Sequence, residues 1–584
     1  MTNTVTNLRK NPLAVRQPLL VIAAAIAMLG ALPSVQAQTA APADNAMVRL
    51  IRGLIQSGAL TKDVGEALLA QAQTEALAAQ QTQRLAAAAP ANGGGARVEP
   101  GDVRVPYISA TVRDQIRDDL KSEVMAQAKA EGWAAPNETP EWTKRIRIEG
   151  DMRVRNESRF YSSGNSNEIT DWNQLNASGP YDINKNTNKD NPYLLNRTKD
   201  RTNQLRIRAR LGILADISEN TTAGIRLATG SDNNPVSTTQ TLGGGLSKKN
   251  IWLDQAWVSY KFADWVTVTG GRFANPFVST DMLFSNDLNL DGLAAQFTKT
   301  LSNTDVTVFG TLGLVPLEYS ADNAPSRDQD KMNSQNKWLI GAQVGASWKL
   351  NAENKVRGAL GYYDFKNIEG QVSNSCFFFA TSCSTDWSRP AFVQGGNTMM
   401  LLRKLTVNPA DPANTVQPQY VGLASKFQLL DVNLRWDTRV AGHYGLRLDA
   451  NYIRNLAFDQ NEMIKRSQGG IVNNFRGTDG TTAEFQSGGN AYMLQATLGN
   501  PNPSVRGDWN VLLGYKRIDP DALPDAYNDS TFHQGGTNAR GYYLGATYAV
   551  DKNTSLGGRW SATKAVFGPP TTIDTLQLEL NTRF

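Results

Sequence analysis

Cysteine and histidine are almost missing from this chain of 584 residues, which has two of each. They are Cys376, Cys383, His443 and His533. Neither histidine lies near the cysteines, so no spacing suits a zinc or other transition-metal site. There is no Gly-x-Ser-x-Gly elbow, and neither histidine joins a serine and a carboxylate in a recognisable triad. The sequence therefore offers no carrier for hydrolase chemistry, and no cofactor is expected. Beyond residue 37 there is also no apolar run long enough for a transmembrane helix. Mean hydropathy is negative, which rules out a helical membrane protein. A transmembrane β-barrel tolerates it, because only alternate strand residues face lipid. The net charge is small, +5, and the basic residues are not gathered into one tail. That pattern speaks against a nucleic-acid partner.

The N-terminus carries an export signal. Arg9, Lys10 and Arg16 precede the apolar stretch 19–32, and Val35-Gln36-Ala37 offers a small-residue cleavage site. An uncleaved anchor is the other reading, but Pro33 and the Ala/Gln-rich sequence after Ala37 resemble an exit more than a stop-transfer flank. Removing residues 1–37 takes away those three cations and no carboxylate, so the net charge falls from +5 to +2. Residues 38–143 then read as short helices. Met47, Leu50, Ile51, Leu54 and Ile55 keep helical spacing. A second helix follows Thr61, a Gly/Pro-rich break covers 90–100, and a third runs near 111–131 with Val112, Ile116, Leu120 and Val124 on one stripe. The stripes are thin, so these helices either associate with one another or between subunits, as in a coiled coil, or form a solvated linker.

From Lys144 the period changes to two. Arg145, Arg147, Arg153 and Arg155 alternate with Ile146, Ile148, Met152 and Val154, and the C-terminal Leu576, Leu578 and Leu580 alternate with Gln577, Glu579 and Asn581. Segments of this kind centre on Ile148, Ala209, Leu227, Val258, Val268, Ala295, Phe309, Val344, Leu360, Leu434, Leu448, Ala496, Leu513, Ala546, Gly558 and Leu580. They predict an all-β transmembrane barrel of about 16 antiparallel strands over 144–584. The connections alternate between tight turns, as at 218–220, 263–264, 301–303 and 551–553, and long polar loops, as at 156–200, 274–287, 366–424 and 457–488. Long loops outside and short turns in the periplasm are the signature of such barrels, and aromatics near the strand ends suit interfacial girdles.

Three stretches carry a family likeness. The chain ends on Phe584 after an alternating strand, like outer-membrane proteins read by the barrel-assembly machinery. Thr269-Gly270-Gly271-Arg272-Phe273-Ala274-Asn275-Pro276-Phe277 resembles the Gly-Arg-x-x-Asn-Pro-Phe segment of porins. Val103-Arg104-Val105-Pro106-Tyr107-Ile108, with the helix after it and the first strand, resembles a family of putative porins. That family pairs a helical N-terminal region with one C-terminal barrel. The resemblance implies a water-filled channel in the outer membrane of a Gram-negative bacterium, passing small hydrophilic solutes, with outer-membrane lipid as surroundings and a homotrimer as the porin-like assembly. It supplies no catalytic residue. A tether from membrane to cell wall and a ligand-specific receptor remain alternatives, although receptor barrels have about 22 strands and a plug.

Strand phase puts Arg145, Arg147, Arg153, Arg155, Arg206, Arg208 and Arg210 on the polar face of the first two strands. In a barrel they line the lumen as a basic wall and favour anions mildly; alternatively the charges pair off with carboxylates such as Asp151. In porins the third outer loop commonly folds inward, and here it carries Asp281 and Asp287. Cys376 and Cys383 share a polar loop of an exported chain, where a disulfide would persist.

Overall fold

The computed structural model describes residues 141–167, 169–320, 335–476 and 484–584. The signal segment and the helices expected within 38–140 lie outside these residues. A short helix α1, Glu141–Arg145, leads into sixteen long strands: β1 Ile146–Tyr161, β2 Arg201–Asp216, β3 Thr221–Thr229, β4 Ile251–Ala263, β5 Val266–Ala274, β6 Asn289–Thr300, β7 Val306–Glu318, β8 Lys337–Lys349, β9 Lys355–Lys366, β10 Phe427–Val440, β11 Tyr444–Asn455, β12 Asn490–Gly499, β13 Trp509–Ile518, β14 Ala539–Asp551, β15 Thr554–Ala565 and β16 Thr572–Arg583. Each is antiparallel to its neighbours, and β16 pairs back onto β1 from Asp151↔Arg583 to Tyr161↔Ile573. Closure leaves no open edge, the condition for satisfying backbone groups in hydrocarbon. All sixteen centres read from the alternation fall inside these strands.

The seam is locked by an aromatic residue, Phe584. Gly150 and Phe584 exchange both backbone hydrogen bonds, each 3.0 Å. The Phe584 ring lies so close that a Cβ on Gly150 would sit 2.4 Å from it. A side chain at 150 would displace that ring.

Along each strand one phase faces outward and is apolar: Ile148, Leu205, Leu211, Val258, Leu293, Val344, Leu434 and Leu513 are all exposed on the outer surface. An arginine there would cost about 2–4 kcal/mol at mid-membrane, which is why the arginines of β1 and β2 occupy the other phase. Tyr260, Phe262, Trp265, Trp348 and Trp436 ring the short-turn end, and Tyr362, Tyr452, Tyr492 and Tyr542 the long-loop end. Trp257 departs from the girdle pattern: it packs inward against Gly224, where a Cβ would come within 2.6 Å of the indole.

Long and short connections alternate throughout. The long ones are L1 (162–200), L2 (230–250), L3 (275–288), L4 (319–336), L5 (367–426), L6 (456–489), L7 (519–538) and L8 (566–571). L1 carries a short helix α2, Trp172–Ser178, capped by Asp171, and L6 carries α3, Gln460–Ser467, capped by Asp459. These loops do not stand off the barrel. Met282, Leu283, Phe284, Met399, Val421, Ala522 and Leu523 from L3, L5 and L7 form one buried apolar cluster with Phe273, Leu339, Phe365, Phe427, Leu429, Ile453 and Met493, which point inward from the outer ends of the strands.

Candidate pore constriction

L3 is launched by local chemistry. Gly271 and Gly292 face each other across β5 and β6 with φ of 117° and 131°, where a Cβ would strike the neighbouring backbone at 2.3 and 2.2 Å. Asn275 Oδ1 then accepts from Phe277 N at 3.0 Å, an Asx turn that swings the chain inward at Pro276. The Phe277 ring packs on the wall at Gly313 and Gly341, where a Cβ would come within 2.7 and 2.6 Å of it, and meets Tyr363 edge-on at 5.1 Å.

From there the loop crosses the lumen. Gln343 of β8 holds Val278 from both sides, accepting from its N–H and donating to its carbonyl at 2.8 Å each. Thr280 donates to Asn451 Oδ1 of β11 at 2.5 Å. Asp281 meets Lys516 Nζ of β13 at 2.6 Å, and its carbonyl accepts from Asp529 N at 2.9 Å. Lys516 is 1% exposed and lies over the Phe532 and Tyr543 rings at 5.4 and 5.2 Å. On the way back, Ser285 N donates to Tyr527 O at 2.8 Å. Asp287 lies 3.2 Å from Arg208 and 3.4 Å from Arg210 and accepts from Thr238 of L2. Burial works against charge on both loop carboxyls, but their cations outweigh it. Lys516 and Arg559 hold Asp281, and Arg208, Arg210 and Arg153 hold Asp287, below the usual carboxylate range.

The wall opposite is the arginine face of β1 and β2. The register sets Arg153 against Arg208 and Arg155 against Arg206. Close cations repel, and carboxylates are interleaved among them. Asp151 takes Arg208 at 2.8 Å and Arg210 at 2.6 Å. Glu157, 1% exposed, takes Arg159 at 2.6 Å and Arg206 at 2.9 Å and accepts from Gln577 at 3.0 Å. Arg155 is paired with Glu579 and lies 3.5 Å from Glu157. Arg153 donates to Thr239 at 2.6 Å, and its Nε is buried without a partner among the described residues. Six guanidinium groups thus share the four carboxylates of Asp151, Glu157, Asp287 and Glu579. A second basic spot faces L3 from β9 and β10: Arg357 stacks on Phe309 at 4.7 Å directly across from Arg435, which is bound to Asp449 at 2.7 Å.

Two expected members of the wall stand elsewhere. Arg145 is not on the first strand; it closes α1, where a cation suits the helix C-terminus, and alternation begins only at Ile146. Arg147 keeps the inward phase but sits, half-exposed, at the short-turn mouth 3.5 Å from Asp216. Sequence reasoning missed Glu157 and Arg159, because the first loop was expected from 156, although the odd-numbered polar phase continues unbroken through both. It also missed Gln343, Asn451 and the pairing of Lys516 with L3. The three consecutive apolar residues Met282-Leu283-Phe284 in an otherwise polar loop were the available signal. In L5, Cys376 and Cys383 form a disulfide, beside the parallel pairing of 375–376 with 404–405.

A closed sixteen-stranded barrel with alternating loop lengths and an outer loop laid across its lumen has the architecture of an outer-membrane channel. The chain belongs to the putative porin family, whose model matches residues 44–584. Family and fold point to a channel rather than an enzyme, and to the Gram-negative outer membrane. The chain is similar to the outer membrane channel DcaP of Acinetobacter baumannii at 10% identity, covering 75% of this chain and 97% of that one with a TM-score of 0.34. It is similar to Pseudomonas putida OprB in its high-pH structure at 11% identity, 76% and 95% coverage and a TM-score of 0.38. A triple mutant of the Rhodopseudomonas blastica porin matches at 11% identity, 75% and 100% coverage and a TM-score of 0.31. No curated protein matches the chain.

Proposed function

We propose that this protein is a passive channel for small hydrophilic solutes, narrowed by L3 and mildly selective for anions. The observation that carries the reading is the charge count at the β1–β2 wall: among the described residues, six guanidinium groups stand against four carboxylates, and Arg153 has no carboxylate of its own. Guanidinium stays charged at any working pH, so the excess is permanent. Fixed positive charge in a narrow aqueous path concentrates anions, and salt screens the effect over about 8–10 Å near physiological strength. Because five of these six arginines are paired with carboxylates, the preference is weak. The reading also puts residues 38–143 in the periplasm, since β1 enters at Ile146 on the short-turn side, and it assigns the strand ending at Phe584 to recognition by the barrel-assembly machinery. A trimer joined in part by the N-terminal helices accompanies it.

The test is reversal potential across a planar bilayer under a salt gradient, for the parent and for Arg206, Arg208 and Arg210 changed together to Ser. The triple change removes three cations and should move permeability toward cations, with the shift fading as salt rises. An unchanged reversal potential would remove these arginines from the selectivity mechanism. Absence of open steps in the parent would replace the channel by a membrane tether.

A further inference from the structure

The outer surface of the barrel carries a second basic array, pointing away from the lumen. The exposed Leu513, Leu544 and Leu556 define the outward phase of β13, β14 and β15. Arg517, Arg540 and Lys564 lie on that phase at the long-loop end, and the register sets them side by side: Arg517 opposite Arg540, and Arg540 opposite Lys564. Two strands earlier on β11, Arg454 lies one outward position nearer the loops in register, since Arg517 faces Tyr492 while Arg454 faces Asn490, to which it donates at 3.0 Å. On β11, β13 and β14 the next outward position toward the membrane centre on the same strand is a tyrosine: Tyr452, Tyr515 and Tyr542. Tyr452 faces Tyr492, and the rings of Tyr492, Tyr515 and Tyr542 follow one another at 6.1 and 4.8 Å.

Cations directly opposite each other on neighbouring strands destabilise a sheet unless something neutralises them. Of the three, Arg517 has an ion pair, with Asp519 at 3.0 Å. Arg540 Nε is buried with no partner, Lys564 is exposed, and neither has a carboxylate in reach among the described residues. On β16, Asp574 shares the outward phase, opposite Ala562 and diagonal to Lys564. Other outward charges at this end come as pairs: Arg272 with Asp291 at 2.9 Å and Lys366 with Asp364 at 2.5 Å. The β13–β15 sector therefore holds uncompensated positive charge at one height. That height is set by the tyrosines, because aromatic rings of a girdle sit at headgroup level. Two residues along a strand advance about 6–7 Å, which puts the basic row among the headgroups.

We propose that this sector binds the phosphorylated headgroup of an outer-leaflet lipid, with Arg517, Arg540, Lys564 and Arg454 holding phosphate and the Tyr492, Tyr515 and Tyr542 rings bedding the first part of the acyl region. The inference rests on the outer-membrane reading but is independent of solute selectivity.

The test uses the full mature protein in phosphatidylcholine vesicles doped with bisphosphorylated lipid A, with dephosphorylated lipid A or with neither, reading the thermal unfolding midpoint. Phosphorylated lipid A should raise the midpoint of the parent, and dephosphorylated lipid A should not. Changing Arg540 and Lys564 together to Ser should weaken the apparent affinity on the order of tenfold or more, since each basic residue at an anionic surface contributes appreciably. Single-channel conductance of this variant should equal the parent's, because both side chains point away from the lumen, and this also reports correct folding. Equal stabilisation of parent and variant overturns the proposal. So does equal stabilisation by inorganic phosphate in lipid-free detergent, which would make the site a phosphate site rather than a lipid site. A change in oligomeric mass of the variant in detergent without lipid also overturns it, by assigning the face to contact between copies. Parent channels that conduct normally yet ignore lipid A sink this proposal and leave the channel reading standing.

Discussion

Changing Asp281 to Asn isolates the pair that pins L3 to the far wall. The loop crosses the lumen and ends its outward reach on Lys516, which is 1% exposed and 2.6 Å from Asp281. Removing one member of a buried pair costs about 3–5 kcal/mol, because the other charge stays buried. The low end applies here, since Asp529 lies 4.0 Å from the same ammonium and two rings flank it. What remains on the segment 278–281 is the Gln343 bracket on Val278, the Thr280–Asn451 bond and the Asp529–Asp281 backbone bond. At about 1 kcal/mol each these nearly balance the roughly 1–2 kcal/mol of backbone entropy per ordered residue. A loss of about 3 kcal/mol therefore raises the population of a detached segment on the order of a hundredfold. In single-channel recording the variant should flicker into a larger-conductance substate that the parent rarely visits. The double change Asp281→Leu with Lys516→Met removes both charges, which is often neutral for stability, and should restore quiet openings. If Asp281→Asn keeps the parent's step size and noise, the Lys516 pair does not position the loop.

Asp525 and Asp521 tie the outer loops together: Asp521 accepts from Thr398 and Ser487, and Asp525 from Gly395, at 2.5–3.0 Å. Burial pushes these carboxyls up to about 6 for Asp521 and about 7 for Asp525. A raised carboxyl stabilises the folded form below its unfolded value near 4 and loses that contribution as pH rises through its folded value. Hydrogen exchange of residues 519–538 should therefore quicken from pH 5.5 to 8. His533, which burial keeps neutral down to about pH 3, pulls the other way below about pH 6.5, so the readout is the difference between the parent and Asp525→Asn, which should flatten the dependence; parallel profiles would refute it. The disulfide of L5 spans seven residues, a closure of about 2–3 kcal/mol in the chain-entropy account. Changing both cysteines to Ser should speed chymotrypsin cleavage at the exposed Phe377 and Phe379 without lowering the barrel's melting temperature, and equal cleavage rates would count against the staple.

Most of the barrel was legible because its code is local. Alternation at Arg153-Val154-Arg155 or Leu576-Gln577-Leu578 sets strand and phase within a few residues, and turn and loop lengths then order the strands. What lay beyond reach was pairing across the lumen. Asp281 and Lys516 are separated by 235 positions, and nothing in either neighbourhood names the other. The polar-phase rule also breaks where the loops descend. On β10 the inward side chains run Phe427, Leu429, Asp431, Asn433 and Arg435 from the outer end downward, and Phe427 and Leu429 are wholly buried. Their sequence context is apolar on both phases, so alternation alone does not tell lipid from loop.

That change along the strand bears on how L3 can move. Met282, Leu283 and Phe284 are each 1–2% exposed, packed among inward side chains of the outer wall and residues of L5 and L7. Full burial of a side chain of this size contributes about 1.5–3 kcal/mol. Together the three outweigh the roughly 3 kcal/mol assigned to the Lys516 pair, and they lie on the return limb of the loop, after Asp281. Breaking the ion pair can free the polar tip at 278–281 without expelling the apolar limb. L3 is accordingly a fixed partition with one loosely held edge. Swinging the whole loop aside would also require opening the core it shares with L5 and L7. On the proposed reading, a barrel built this way sets its passage by the charges left along β1 and β2, where Asp287 returns to Arg208 and Arg210.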